Sequence, residues 1–194
     1  ALIRALPGNV AQGLICGIMA IGVYITFRIL DFADLTVDGS LATGGAVAVM
    51  LIQGGMHPAL SLVFAFIAGM AAGFVTGFLH TELGIPGILA SILTQISLYS
   101  VNLGIMGKSN QSIGIGQTNL VASLRYVTSE GRAVFFLKLI IGCLLLVAVV
   151  YWAFGTELGS AIRATGCNPQ MARAQGINTN FTKVVALMLS NGLV

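Results

Sequence analysis

The sequence predicts an all-α, polytopic membrane protein whose helices form a closely packed bundle. Hydrophobic residues make up 57% of the chain and charged residues only 8%, whereas soluble globular domains carry about 25% charged residues. The apolar residues fall into runs long enough to cross a hydrocarbon core about 30 Å thick. Glycine recurs every fourth residue at Gly69, Gly73 and Gly77, which indicates that this face packs tightly against another helix.

Six apolar runs divide the chain into predicted spans and polar connections. A span needs about 20 apolar residues, because an α-helix rises 1.5 Å per residue. The predicted spans cover residues 5–27, 39–56, 58–79, 83–106 and 133–154, and a sixth begins at residue 184. We treat residues 1–194 as a single transmembrane domain. Because the sixth run is only about half of a span, we expect the protein to continue with further helices.

The connection between the first two spans holds half of the acidic residues, Asp31, Asp34 and Asp38. One Asp at the centre of a spanning helix costs about 2.5–3.5 kcal/mol, so three together would cost on the order of 10 kcal/mol. Two interpretations remain open. The segment is an interfacial turn with Thr36 and Asp38–Ser40 as helix N-terminal signals, or it is a broken helix near residues 31–40 that lines a path.

The fourth run carries several polar side chains, among them Gln95 and Asn102. They are spread around more than one face of the predicted helix. Hydrogen bonding between helices is the commoner use of such residues, and lining a polar path is the alternative.

Neither a nucleotide site nor a metal site is predicted. Gly107-Lys108-Ser109 superficially resembles a phosphate-binding loop, but Asn102 stands where the first glycine is required, and no strand precedes it. The three cysteines have no metal-binding spacing, and His57 and His80 stand alone in turns. We therefore expect no cofactor, and the pattern disfavours an intramembrane enzyme.

The polar segment 155–183 interrupts the apolar pattern most strongly. Asn168 suits an N-cap, Pro169 suits the first helical position, and Gly176 suits the left-handed residue after a helix, so one short capped helix is predicted here. Basic residues outnumber acidic ones, as in a cytoplasmic loop. The helix is either a solvated connector or a docking element for a soluble partner.

Once the side of the membrane on which this polar segment lies is known, the number of spans fixes the topology. If the segment is cytoplasmic, the N-terminus and the polar stretch 107–132 both lie outside. The positive charges do not decide, because four fall on each side. Those inside would be Arg28, Arg163, Arg173 and Lys183, and those outside would be Arg4, Lys108, Arg125 and Arg132.

Several of these residues resemble a known family. The polar segment, through Ile162-Arg163-Ala164, Asn168, Ala172-Arg173 and Gly176-Ile177-Asn178, is similar to the cytoplasmic coupling loop of ABC importer permeases of the branched-chain amino acid and ribose class. Asp34-Leu-Thr-Val-Asp38-Gly-Ser40 resembles the early DLSVGS motif of ribose-type members, and Asp31-Phe-Ala-Asp34 is similar to the NFAHG form. Asp38 departs from the ribose form. The combination looks most like the branch associated with uptake of tryptophan or tyrosine.

The resemblance implies three partners: a cytoplasmic ATP-binding subunit that binds the ATP, a second permease copy or homologue, and an extracytoplasmic substrate-binding protein that faces residues 108–132. It also implies two sets of residues. Residues that couple to the ATPase would be Arg163, Asn168, Pro169, Ala172, Arg173 and Gly176. Residues that line the translocation path would be Asp31, Asp34, Thr36, Asp38, Ser40, Gln95 and Asn102.

The predicted function is therefore a non-enzymatic, multi-pass permease subunit of the cell membrane that imports a small polar solute by alternating access. An amino acid is favoured, and an aromatic one in particular. The alternatives are a ribose- or nucleoside-type ABC permease and an ion-coupled secondary transporter that uses the three acids as a cation site.

Overall fold

The computed structural model describes residues 2–108 and 132–194, and these ranges contain helices and no strand. The helices are α1 (Leu2–Tyr24), α2 (Val37–Gln53), α3 (Pro58–Thr81), α4 (Gly87–Met106), α5 (Arg132–Gly155), α6 (Glu157–Cys167), α7 (Pro169–Ala174) and α8 (Thr179–Leu193). A π-helix, Ile25–Ile29, continues α1. The predicted all-α membrane bundle is confirmed. The stretch expected to face a binding protein falls mainly on residues 109–131, outside the described ranges.

Three continuous helical stretches are long and apolar enough to cross a membrane: Gln12–Ile29, Ala59–Thr81 and Gly87–Met106. A fourth is possible if Ile140–Gly155 and Glu157–Cys167, which meet at an angle of 76°, form one bent span. Helix α2 has 17 residues, so it is about 25 Å long and shorter than the hydrocarbon core. The chain is thus a multi-pass membrane protein.

Glycine brings α3 and α8 into close contact, as the spacing of Gly69, Gly73 and Gly77 predicts. A Cβ atom at Gly73 would lie 2.9 Å from the Cα atom of Met188, and one at Gly77 would lie 3.0 Å from the Cα atom of Val184. Only glycine permits backbones to approach this closely. The two helices therefore behave as one packed unit.

The Gly13 and Gly17 pair on α1 has the same spacing, but it does not have the same role. Within the described part of the chain, no atom lies within 4 Å of a Cβ placed at either residue. GxxxG spacing usually indicates close packing between helices, but the described residues show no such packing at this pair.

The polar segment 155–183 contains more helix than the sequence predicts. Besides the expected short helix α7, it forms α6, whose buried face consists of Gly159, Ile162 and Thr165. These residues recur every third position, which places them on one side of a helix. Helix α6 packs on the end of the π-helix, where a Cβ at Gly166 would lie 2.9 Å from the carbonyl carbon of Ile29.

A small apolar core forms where these elements meet. It consists of Leu30, Phe32, Ile162, Ala186 and Leu187. The core joins the segment after the π-helix to α6 and α8, and so it connects the first helix to the polar segment.

Candidate functional site

Residues 30–36 form a break between the π-helix and α2. Burial alternates along it, so that Phe32, Asp34 and Thr36 are buried while Asp31 and Leu35 are exposed. This period of two is that of an extended chain. Asp31 has a φ angle of 53°, in the left-handed region, where the chain leaves the helical path. The structure thus shows the predicted break in the helical chain near residues 31–40.

The break lies beside the interior of the bundle. The ring of Phe32 packs under the first residue of α4, where a Cβ at Gly87 would meet its Cζ atom at 2.6 Å. Further along, a Cβ at Gly39 would lie 3.2 Å from the Cα atom of Gln95. Because Gln95 lies eight residues after the start of α4, the first turn of α2 lies beside a point roughly 12 Å along α4.

Asp34 is buried at the centre of this break, with 1% of its surface exposed. Its Oδ1 atom accepts a hydrogen bond from the Thr36 backbone N–H at 2.9 Å, and its Oδ2 atom accepts one from Asn191 Nδ2 at 2.7 Å. The hydroxyl groups of Thr36 and Thr76 are 2.8 Å apart. These bonds offset part of the cost of burying a carboxyl group, and they join the break to α3 and α8.

A cavity of about 360 Å³ lies between α2 and α4, and its surface is mainly apolar. Three of the predicted path residues, Asp38, Gln95 and Asn102, line it together with Tyr99. Asn102 is 8% exposed, and its Oδ1 atom is buried without a hydrogen-bond partner among the described residues. The cavity has the size and the few convergent polar groups typical of a small-molecule site.

The other four predicted path residues do not line this cavity. Asp34 and Thr36 belong to the buried network, and the Ser40 hydroxyl donates to the Val37 carbonyl at 3.0 Å. Asp31 is exposed on the opposite side of the extended segment. Tyr99 was not predicted, although its position four residues after Gln95 and three before Asn102 puts it on the same helical face.

The short helix α7 has the caps that its sequence predicts. Asn168 Oδ1 accepts from the backbone N–H groups of Gln170 and Met171, both at 3.1 Å. Pro169 is the first helical residue, and Gly176 has a φ angle of 83°. Ala172 faces the protein, whereas Asn168, Pro169 and Met171 are exposed. Helix α7 therefore presents a rigid polar and apolar surface to the solvent.

Arg173 links α7 to the start of α8. Its Nε atom donates to Thr179 Oγ1 at 2.6 Å, and its second guanidinium nitrogen donates to Asn180 Oδ1 at 3.3 Å. Thr179 is buried. The planar guanidinium group can hold two acceptors at once, so α7 and α8 are fixed relative to each other.

Arg163, another of the predicted ATPase-coupling residues, does not lie with Arg173. It lines a groove of about 750 Å³ between the end of α1 and α5. The groove walls are mainly apolar and include Ile25, Val147 and Trp152. The structure thus separates Arg163 on α6 from the hydrogen-bonded pair of α7 and α8.

A second contact at this end of the bundle joins α3 to α8. Lys183 Nζ lies 3.3 Å from His80 Nε2, and His80 Nδ1 lies 2.9 Å from the carbonyl oxygen of Ile85. Burial of the ammonium group, together with the charge of Arg173, lowers the pKa of Lys183 from its ordinary 10.5. In the described residues no group of three potential His, Cys, Asp or Glu ligands could hold a metal ion.

Sequence comparisons relate this chain to membrane transport permeases. A tyrosine transport system permease protein of Clostridioides difficile (strain R20291) is 37% identical over 183 residues, which are 94% of this chain and 59% of that protein. A probable branched-chain amino acid transport permease protein, LivH, of Methanocaldococcus jannaschii is 28% identical over 97% of this chain and 62% of its own length. The inner membrane ABC transporter permease protein YjfF of Escherichia coli (strain K12) is 28% identical over 96% of this chain and 59% of its own length.

The chain thus spans between 59% and 62% of the length of these relatives. No solved structure matches it. The family described as "Branched-chain amino acid transport system / permease component" matches residues 8–193, nearly the whole chain. This protein belongs to that permease family.

Proposed function

We propose that the chain forms part of the permease subunit of an ATP-driven ABC importer, with α7 as the helix on which a cytoplasmic ATP-binding subunit docks. One observation carries the proposal: α7 is capped, exposed and bonded through Arg173 to a helix that enters the bundle. A docking element must be stiff enough to transmit displacement, and the Asn168 cap and the Arg173 bonds supply that stiffness. In this proposal the partner subunit binds the ATP, so the permease needs no ATP site or cofactor of its own.

Displacement of α7 has a continuous route into the bundle. Arg173 holds Thr179, the first residue of α8, and the glycine contacts make α8 move together with α3. About three turns further on, Asn191 holds Asp34 in the break before α2. The N–H groups of Leu30 and Phe32 bond back to the carbonyl groups of Ile25 and Thr26. Because few backbone hydrogen bonds hold the break, it can change conformation and let α2 tilt against α4. The cavity between α2 and α4 then opens to one side of the membrane or to the other.

This route gives different roles to the predicted residues. Asn168, Pro169, Ala172, Arg173 and Gly176 build and hold the docking helix, and Arg163 would contact the ATP-binding subunit from α6. Asp34, Thr36 and Ser40 maintain the break and the start of α2. Asp38, Gln95 and Asn102 line the path.

The remaining assignments depend on the family. We place the docking helix in the cytoplasm and the N-terminus outside. A second copy or homologue of the permease completes the path, and an extracytoplasmic binding protein delivers the substrate. The substrate is an amino acid, and the tyrosine transport permease among the relatives favours an aromatic one. A ribose- or nucleoside-type solute is the alternative, and the relatives also include an autoinducer 2 import permease.

The docking role is tested with Arg173→Glu in the full-length permease assembled with its ATP-binding subunit and binding protein. The variant loses both bonds to α8 and repels the Asn180 oxygen, so ATP hydrolysis stimulated by the binding protein should fall by tenfold or more, since about 1.4 kcal/mol corresponds to a factor of 10. Gln175→Glu is the control, because it places an acid at the same exposed helix end and leaves Arg173 in place. Equal stimulated hydrolysis in Arg173→Glu and the parent would refute the docking role.

A further inference from the structure

The groove between the end of α1 and α5 is apolar along its length and polar at one end. Ile21 and Ile25 belong to its α1 wall, and Val147 belongs to its α5 wall. About 12 Å of helix separates Val147 from the end of α5. Beyond that end, Thr156 and Arg163 complete the lining. This order, from apolar walls to a polar and charged mouth, is the order of groups along a membrane lipid.

Aromatic side chains with polar tips surround the mouth of the groove. Tyr24 is the last residue of α1, and Tyr151 and Trp152 lie in the last two turns of α5. The two α5 rings are 83% and 73% exposed, so they face the surroundings of the bundle and not its core. Tyrosine and tryptophan concentrate where a membrane meets water. The mouth of the groove therefore lies at the bilayer interface, and the apolar walls lie in the hydrocarbon.

Helix α6 carries Arg163 along this interface. Helix α5 contains the fifth predicted span, 133–154, and it meets α6 at an angle of 76°. A helix that leaves a span at this angle runs nearly parallel to the bilayer surface. Ile162 is buried and fixes α6 on the bundle, whereas Arg163, the next residue, is exposed. The guanidinium group is therefore held at the level of the lipid headgroups.

Arg163 is the only charged residue among the described residues that line the groove. It has no hydrogen-bond or ion-pair partner within residues 2–108 and 132–194. Glu157, the acid of α6, is exposed and does not line the groove. A guanidinium group donates in pairs to the oxygens of a phosphate group. The mouth of the groove thus has a positive charge whose donors no described side chain uses.

We propose that this groove binds an anionic phospholipid, with an acyl chain against the apolar walls of α1 and α5 and the phosphate group at the Arg163 guanidinium. Basic pockets between spanning helices suit such headgroups. A zwitterionic lipid carries its own cation beside the phosphate, so Arg163 distinguishes the two lipid classes. The site goes beyond the import function and requires only that α1 and α5 lie in a bilayer. Since a guanidinium group has five N–H donors, a bound phosphate leaves donors for the ATP-binding subunit.

The test measures quenching of Trp152 fluorescence by brominated lipids, and it needs neither ATP nor other subunits. Trp152 lines the groove and is the only tryptophan in residues 1–194. Any other tryptophan of the full-length permease is replaced by phenylalanine. The protein is reconstituted into phosphatidylcholine vesicles with increasing fractions of brominated phosphatidylglycerol, and in a parallel series with brominated phosphatidylcholine. The two quenching curves together give the preference for the anionic lipid.

The parent should prefer phosphatidylglycerol about fivefold, the effect of one arginine beside an anionic headgroup. Arg163→Gln should abolish this preference, and Arg163→Lys should keep most of it because the charge remains. Arg28→Gln is the matched control, since Arg28 is exposed at the same end of the first helix but does not line the groove. This control should keep the preference of the parent.

Equal preference in Arg163→Gln and the parent would overturn the proposal. So would an equal loss in Arg28→Gln and Arg163→Gln, because it would show attraction to the whole basic surface and not to one site. Absence of Trp152 quenching by either lipid would show that protein covers the groove, which also contradicts the proposal. Loss of quenching on addition of soluble glycerophosphate at constant ionic strength would reduce the groove to a site for free anions and refute the lipid assignment. None of these measurements depends on uptake, so failure of the proposed import function would leave the lipid preference unchanged.

Discussion

Replacing Gly73 by alanine should separate the two helices that carry displacement into the bundle. The new Cβ would lie 2.7 Å from the carbonyl carbon of Leu187 and 2.9 Å from the Cα atom of Met188. These are backbone atoms, so no side chain can rotate away. To restore ordinary contact at about 3.4 Å, α3 and α8 must move apart by roughly 0.7 Å, and overpacking of this kind costs about 1–3 kcal/mol.

Alanine also favours the helix by about 1 kcal/mol relative to glycine, which offsets part of that cost. We therefore expect a net loss of up to about 2 kcal/mol, or a fall in melting temperature of roughly 2–4 °C per kcal/mol for a domain of this size. The measurement is thermal unfolding of the full-length permease in detergent. Gly17→Ala is the matched control, because no described atom is near its Cβ, and it should melt at the same temperature as the parent or higher. If Gly73→Ala melted as high as Gly17→Ala, the close contact between α3 and α8 would be wrong.

Two further substitutions test the polar groups. Asn102→Leu removes a buried acceptor that has no partner, so the ligand-free protein should gain about 1–3 kcal/mol in stability, and a lower melting temperature than the parent would contradict the unpaired state of that oxygen. Burial and the charge of Arg173 lower the pKa of Lys183, so the charged form of this side chain destabilises the folded state. This loss of stability is fully present below the lowered pKa and disappears as the pH rises towards 10.5. The melting temperature of Lys183→Met relative to the parent should therefore decrease as the pH rises from 7 towards 10.5, and a difference that does not change with pH would show that Lys183 is not desolvated.

The sequence predicts the long apolar helices and the caps of α7 well, because both depend on local chemistry. Asn168, Pro169 and Gly176 specify their helix ends through contacts within a few residues. A glycine pattern is also local, but it only permits close approach and does not identify a neighbour. This is why Gly13 with Gly17 and Gly69 with Gly73 look alike in the sequence and differ in the structure.

The candidate site was only partly predictable, because its geometry depends on distant segments. The three acids near residue 34 have the same chemistry, yet the extended break sends Asp34 inward, leaves Asp31 exposed and places Asp38 at the cavity. No local rule pairs Asp34 with Asn191. Helix α6 was missed for a different reason, since its buried stripe of Gly159, Ile162 and Thr165 is short and lies in a polar stretch.

The pairing of Asp34 with Asn191 has a consequence for biogenesis. The two residues are 157 positions apart. At a synthesis rate of about 5–20 residues per second, Asn191 is made roughly 8 to 30 seconds after Asp34. Until α8 is made, the carboxyl group lacks its α8 donor and the glycine face of α3 lacks its neighbour. These two contacts, between Asp34 and Asn191 and between the glycine face of α3 and α8, therefore form only once α8 is present.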